Sequence, residues 1–270
     1  ERKIGDFDFG PEATNPIDRL QLEWFDHYLK GEDNGLAEKD PVRVFVMGAN
    51  TWRTAEDWPI PGTEYTEFYL HSDGAANTRY GNGRLMKQAP KGDQPEDAYT
   101  YDPANPVPSR GGHSCCFRDL APQGPRDQAK VEERADVLVY STPPLEEPVE
   151  ITGPIELTLY AESTAPNTDF TAKLVDVHPD GTVVNLNNGI VRASYRESLE
   201  NPTPIEPGKV YKYEISIWPT SNLFKEGHQI RLEISSSNFP HYARNLNTGA
   251  EFGETSSMQT ARQTIYHEAE

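Results

Sequence analysis

The stretch richest in reactive side chains is Gly111-Gly112-His113-Ser114-Cys115-Cys116-Phe117, in which an imidazole, a hydroxyl and two thiols follow two glycines. Glycine permits close backbone approach, so the loop is able to line a pocket with small, soft or aromatic groups. Packing at a domain interface and a reactive thiol are the other two readings. Thiol catalysis needs a thiolate within hydrogen-bond reach of an imidazole, and the nearness of His113 to the cysteines in sequence is not that geometry. Vicinal thiols rarely offer both sulfurs to one tetrahedral ion, and no second ligand pair follows at a usual spacing. His113, Cys115 and Cys116 are therefore not expected to hold a metal.

The other candidates have structural explanations. Ser235, Ser236 and Ser237 precede His241, yet they continue the alternation of Ile230, Leu232 and Ile234 and read as a capped strand end. Asp169, Asp176 and Asp180 bracket a hairpin, where turn chemistry accounts for them without calcium. The seven histidines are scattered and read as surface or hydrogen-bonded residues. No Gly-x-Ser-x-Gly nucleophile elbow occurs anywhere. The expectation is no catalytic residue, no metal and no cofactor.

The elements that must position these side chains are mostly strands. One helix is predicted over 15–30, with Asn15 as N-cap, Pro16 in the first turn, Asp18 against the helix dipole and Gly31 as the stop. Ile17, Leu20, Trp24 and Tyr28, flanked by Phe25 and Leu29, make a wide apolar face that needs a cover. A single amphipathic helix ahead of a β domain predicts the tail of a preceding helical or α/β domain. From Val42 the period becomes two. Strands are predicted at 42–46, 68–70, 99–101, 137–140, 155–160, 170–177, 182–186, 191–195, 211–217 and 230–234. Pro179-Asp180-Gly181 should close a hairpin, and 73–125 should hold large loops. About ten short strands with turn signals between them predict an all-β sandwich or jelly roll.

Composition narrows the function classes. With 25 basic and 43 acidic residues the 270-residue chain carries a net charge of −18, which repels nucleic acid and anionic membrane surfaces, so neither is expected as a partner. No apolar run approaches the roughly 18 residues of a membrane helix. The first residues, Glu1-Arg2-Lys3-Ile4-Gly5, have neither a starting Met nor a signal-peptide core and read as a start within a longer protein. Two adjacent cysteines cannot build a disulfide framework, which leaves the compartment open with a lean toward the cytoplasm.

Five segments in order resemble the CocE/NonD hydrolases, the family of cocaine esterase, α-amino-acid ester hydrolases and X-Pro dipeptidyl-peptidases. They are 24–31 from Trp24 to Gly31, 44–59 with Phe45, Trp52, Arg53 and Trp58-Pro59, 101–112 from Tyr101-Asp102-Pro103 to Gly111-Gly112, 169–177, and Ser235 to Pro240. The resemblance implies an α/β-hydrolase domain carrying Ser, Asp and His, an inserted helical cap and a C-terminal jelly roll of galactose-binding-like type. Residues 1–40 then correspond to the end of the hydrolase domain and 41–270 to the jelly roll, short of its last strand. The catalytic triad falls upstream of Glu1, so the chain alone is expected to be inactive. The implied partners are the N-terminal hydrolase and cap domains and, in the full enzyme, a small ester or peptide substrate; a homo-oligomer is within the family's range. In the related esterases the residues after the matching Gly-Gly help to form the acyl or aromatic pocket, and that role is carried to Gly112, His113, Ser114, Cys115 and Cys116. The competing class is a carbohydrate-binding jelly-roll module, kept open by 13 Tyr and 4 Trp.

Overall fold

The computed structural model describes residues 2–5, 7–113, 121–251 and 253–267. Two short strands, β1 (Lys3–Ile4) and β2 (Phe7–Asp8), precede helix α1 (Ile17–Lys30). The side chain of Asn15 accepts the Ile17 N–H at 3.0 Å, so Asn15 and Pro16 form the cap and the helix proper begins two residues after the expected start. Gly31, at φ 73°, closes it in the left-handed region: its N–H donates to the His27 carbonyl and the Glu32 N–H to that of Asp26. No residue of α1 is buried. Leu22, Trp24, Phe25, Tyr28 and Leu29 all lie exposed, so the apolar face anticipated in the sequence is bare in this chain.

The β domain begins with the hairpin β3 (Val42–Val46) and β4 (Thr51–Ala55), followed by β5 (Tyr69–His71), β6 (Arg84–Met86), β7 (Asp97–Tyr101) and β8 (Leu138–Ser141). Then come β9 (Val149–Gly153), β10 (Glu156–Ser163), β11 (Asp169–Val177), β12 (Val183–Arg192), β13 (Tyr211–Ser216), β14 (Thr220–Phe224), β15 (Gln229–Ser235) and β16 (Ala261–Tyr266). They form a four-stranded sheet, β13-β10-β16-β7, and a six-stranded sheet, β12-β11-β15-β8-β6-β5, with β9 and β14 paired beside them. The two sheets make a sandwich. Leu159, Ala161, Tyr213, Ile215 and Ile265 from one meet Leu138, Tyr140, Phe170, Ala172, Ile230, Leu232 and Ile234 from the other in one core. Phe170 and Tyr213 touch across it with centroids 4.7 Å apart. Burying an aliphatic or Phe side chain of this kind contributes roughly 1.5–3 kcal/mol.

The expected turn at Pro179-Asp180-Gly181 joins β11 to β12, with the His178 N–H on the Thr182 carbonyl and the Thr182 N–H on Asp180 Oδ1. The separate strand expected at 191–195 is not one. Leu174 pairs with Asn187 and Val175 with Asn185, so Leu186 is the extra residue of a bulge. That bulge bends β12 without ending it, and pairing continues to Arg192 before a 3-10 turn at Ala193–Tyr195. Periodicity alone splits a bulged strand in two because the inward phase changes at the extra residue.

Every residue of β11 is buried, so the six-stranded sheet is covered on both faces along this strand. Its second face is not apolar. Lys173 Nζ donates to Glu233 Oε2 at 2.9 Å and to Gln128 Oε1 at 2.8 Å, and Arg231 Nη1 donates to Glu132 Oε2 at 2.6 Å. The loop before β8 lies over this layer and supplies Gln128 and Glu132. Burial, and next the charge of Glu233, push the Glu132 carboxyl up to about 8 despite Arg231 beside it. Glu132 Oε1 and Glu233 Oε1 are both buried and without a hydrogen-bond partner among the described residues, and a proton on Glu132 would bridge that gap.

The folded chain therefore keeps a Glu132 proton that the unfolded chain releases near 4.5. Between those values the native state binds more protons, so this group makes stability fall as pH rises, by of order 1 kcal/mol per pH unit. Glu132→Gln reproduces the protonated form, accepting from Arg231 and donating toward Glu233. Urea midpoints measured from pH 5 to 8 should show a flatter profile for Glu132→Gln than for the parent chain, with the variant gaining relative stability toward pH 8.

Candidate functional site

The segment leading to Gly111 is held by a strand end on the other side. The Ser109 N–H donates to the Phe239 carbonyl at 2.7 Å, the Phe239 N–H to Val107, and the Val107 N–H to Ser237 Oγ at 2.9 Å. The serines at the end of β15 are structural, as the strand-end reading expects: Ser235 Oγ donates to the Asp136 carbonyl, and Ser236 Oγ lies 2.9 Å from the Tyr99 hydroxyl. This pairing carries His241 to the same edge as Gly111, with its N–H on Ser109 Oγ at 3.0 Å.

Gly111 and Gly112 have φ of 77° and 96°. A Cβ on Gly111 would lie 2.3 Å from the Gly124 carbonyl oxygen, and one on Gly112 would lie 2.6 Å from Asn188 Nδ2, so both positions require glycine. Gly112 exchanges two hydrogen bonds with Gly124, at 2.9 and 2.8 Å. Gln128 ties this loop to the charged layer: while it accepts from Lys173, its Nε2 donates to the Arg110 carbonyl at 2.7 Å and to that of Arg126 at 2.9 Å.

His113 emerges exposed from this anchor, with its ring 5.2 Å from that of His241 and 5.6 Å from that of Trp218. Tyr242 packs against His241 at 4.3 Å and donates its hydroxyl to Asn188 Oδ1 at 3.1 Å. Trp218, more than half exposed, sits at φ 67° just beyond β13, where the Ile217 N–H holds the Ile155 carbonyl. Beneath it Asn187 Nδ2 donates to the Pro219 carbonyl at 2.6 Å. Three distant segments thus meet over residues 187–189 of β12.

Burial, with the neighbouring His113 adding to it, lowers the His241 pKa. His241 Nε2 is buried and has no partner among the described residues. The cluster offers flat ring faces and one free imidazole nitrogen, on His241, which suits an apolar or aromatic group carrying a single polar atom. It is equipped for binding. Among the described residues no carboxylate lies in hydrogen-bond contact with either imidazole.

Of the five expected site residues, the structure places Gly112 and His113 here; Ser114, Cys115 and Cys116 lie outside the described residues. Trp218, His241 and Tyr242 were missed. The available signal for His241 was its place just after Phe239-Pro240, and no spacing connects Trp218 to His113. Asp169 is held by Arg192, at 2.9 Å to Nε, and by Asn245, away from Asp176 and Asp180, so the three do not form one calcium set.

The sequence profile of the X-Pro dipeptidyl-peptidase C-terminal non-catalytic domain matches residues 34–270. The chain belongs to that family. The domain is 50% identical to cocaine esterase of Rhodococcus sp. (strain MB1 Bresler) over 244 residues, covering 89% of this chain and 42% of that protein. An aminopeptidase from a marine-sediment Thaumarchaeota archaeon superposes with a TM-score of 0.82 at 30% identity, covering 98% of this chain and 44% of that one. An α-amino acid ester hydrolase superposes with a TM-score of 0.81 at 27% identity, covering 98% and 45%. The chain spans less than half the length of each of these relatives. This is a non-catalytic domain of the CocE/NonD and X-Pro dipeptidyl-peptidase hydrolases, and the carbohydrate-module reading is not favoured. No described helix is long and apolar enough to cross a membrane.

Because a side chain at Gly111 must meet a backbone carbonyl, Gly111→Ala should lower stability by about 1–3 kcal/mol. Urea unfolding followed by far-UV circular dichroism measures the loss, and it should exceed that of Gly181→Ala, where the added Cβ meets nothing within 4 Å.

Proposed function

We propose that this domain serves a serine hydrolase acting through an acyl-serine intermediate, stabilising the catalytic α/β domain and closing one side of its substrate pocket. The pocket side is the Gly112, His113, Ser114, Cys115 and Cys116 loop, backed by Trp218 and His241. The observation that carries this reading is the ring cluster of His113, Trp218 and His241 beside a turn that holds Gly111 and Gly112 in the left-handed region. Such a surface favours substrates with an aromatic or aliphatic acyl group, released from an ester or amide, over anionic or highly polar ones.

Residues 1–40 act as the end of the catalytic domain. The bare face of α1, with Trp24, Phe25 and Tyr28, is the surface expected to be covered by the rest of that domain. The names of the relatives, an esterase, an aminopeptidase and an α-amino acid ester hydrolase, support acyl transfer as the common chemistry.

Two measurements test this. A fluorophosphonate probe should leave the 270-residue chain unlabelled and label a version extended upstream through the hydrolase domain; labelling of the short chain would place a nucleophile within it and overturn the reading. In the extended enzyme, Trp218→Ala should lower kcat/KM for aromatic acyl esters by roughly 10-fold, equivalent to about 1.4 kcal/mol, while acetyl esters change much less. Equal effects on both ester classes would remove Trp218 from the pocket.

A further inference from the structure

A second group of functional side chains lies where the β11–β12 hairpin leaves the six-stranded sheet. Asp176, next to last in β11, is 5% exposed and continues the inward-facing row of Phe170, Ala172 and Leu174. His178 follows β11 at the start of the turn, and His228 stands just before β15. Asp176 Oδ1 is 2.7 Å from His228 Nδ1, and Asp176 Oδ2 is 3.8 Å from His178 Nε2. The two imidazole rings lie 4.5 Å apart, and one ligating atom from each of the three residues falls within 4.8 Å of the others. Asn222 Nδ2 supports the carboxylate from β14 at 3.4 Å.

The backbone holds both imidazoles in place. His178 is fixed by its N–H on Thr182 and by the Gly181 N–H on its carbonyl. His228 is fixed by its N–H on Lys225 and by the Leu145 N–H on its carbonyl at 2.8 Å. The Asp176–His228 hydrogen bond explains one histidine beside a buried carboxylate. It does not explain a second one aimed at the other oxygen of the same carboxylate. Burial lowers the His178 pKa against the pull of Asp176, and the neighbouring His228 adds to the lowering. The more remote charges of Asp180 and Lys225 act on it in opposite directions.

We propose that Asp176, His178 and His228 bind a divalent transition-metal ion, zinc being the best fit. Two imidazoles and one carboxylate are borderline donors of the kind zinc takes, with bonds of about 2.0–2.2 Å. Donors at a tetrahedral ion of that size are roughly 3.3 Å apart, and the three ligating atoms here lie within 4.8 Å of one another, so a small inward shift of the side chains completes the set. The ion replaces the proton between Asp176 and His228 and draws in His178 from the turn. His178 is 31% exposed at its side chain, so the fourth position opens to solvent. Asn222 then acts as the outer support of the carboxylate. A metal here joins the β11–β12 turn to the β14–β15 turn and stabilises that end of the sandwich.

The test is titration of the chelator-stripped 270-residue chain with zinc chloride at pH 7.5, by calorimetry and by thermal unfolding. The expected result is saturable uptake of one zinc per chain at this site and a rise in Tm that grows with free zinc. His178→Gln, a change in a partly exposed turn, should keep the circular dichroism spectrum and weaken binding by more than the roughly 10-fold loss an outer partner causes. Asp176→Asn should abolish it. Absence of saturable uptake, or uptake unchanged in His178→Gln, would overturn the proposal. Loss of uptake in His113→Gln or His241→Gln instead would move the metal to the other imidazole cluster and overturn it equally.

Discussion

The ion pair between Lys173 and Glu233 is the contact on which most of this architecture turns. A sheet covered on both faces leaves no water for a lysine in its central strand, and the unpaired charge would be costly enough to melt the local structure. Lys173 is satisfied by Glu233 from the neighbouring strand and by Gln128 from the covering loop. The cover is therefore specified by charge and hydrogen bonding as well as by apolar contact. One step along, Arg231 donates to Glu132, whose buried carboxyl keeps its proton to higher pH.

That constraint reaches the candidate pocket through one side chain. Gln128 is fully buried, and the amide that receives Lys173 also grips the carbonyl of Arg110, the residue before the two glycines. Gly111 and Gly112 have no side chains to set their position. It comes from the buried polar layer that Gln128 joins to the Arg110 carbonyl, which is the kind of support a binding surface needs to keep its shape. The ring cluster beside the loop adds polarisable area, and burial lowers the pKa of its inner histidine, His241.

The two ends of β11 have opposite characters. At its start Asp169 is neutralised by Arg192 and Asn245, a closed arrangement with every strong donor satisfied. At its end Asp176 faces two imidazoles and one distant amide, with an opening toward solvent. Both aspartates lie in the same strand and are almost wholly buried. Their chemistry differs because β12 supplies an arginine at one end, whereas turns supply histidines at the other.

The sequence by itself determined the local elements. Alternation at 42–46, 170–177, 211–217 and 230–234, the Asn15 and Gly31 helix signals and the Pro179-Asp180-Gly181 turn are short-range features, each set by side-chain period or backbone sterics within a few residues. It also marked Gly111 and Gly112 as special, because glycine pairs in an otherwise folded segment signal close approach. Only the tertiary structure decided what they approach. Gly124, Asn188, Trp218 and His241 reach the loop through strand pairing between segments far apart in the chain, and no local pattern encodes such pairing. The bulge at Leu186 escaped notice for the same reason, since an extra residue is defined only against a partner strand. No local pattern signals that the charged side chains of Lys173, Glu233, Glu132 and Arg231 are buried, because their cover is a loop whose position depends on the fold as a whole.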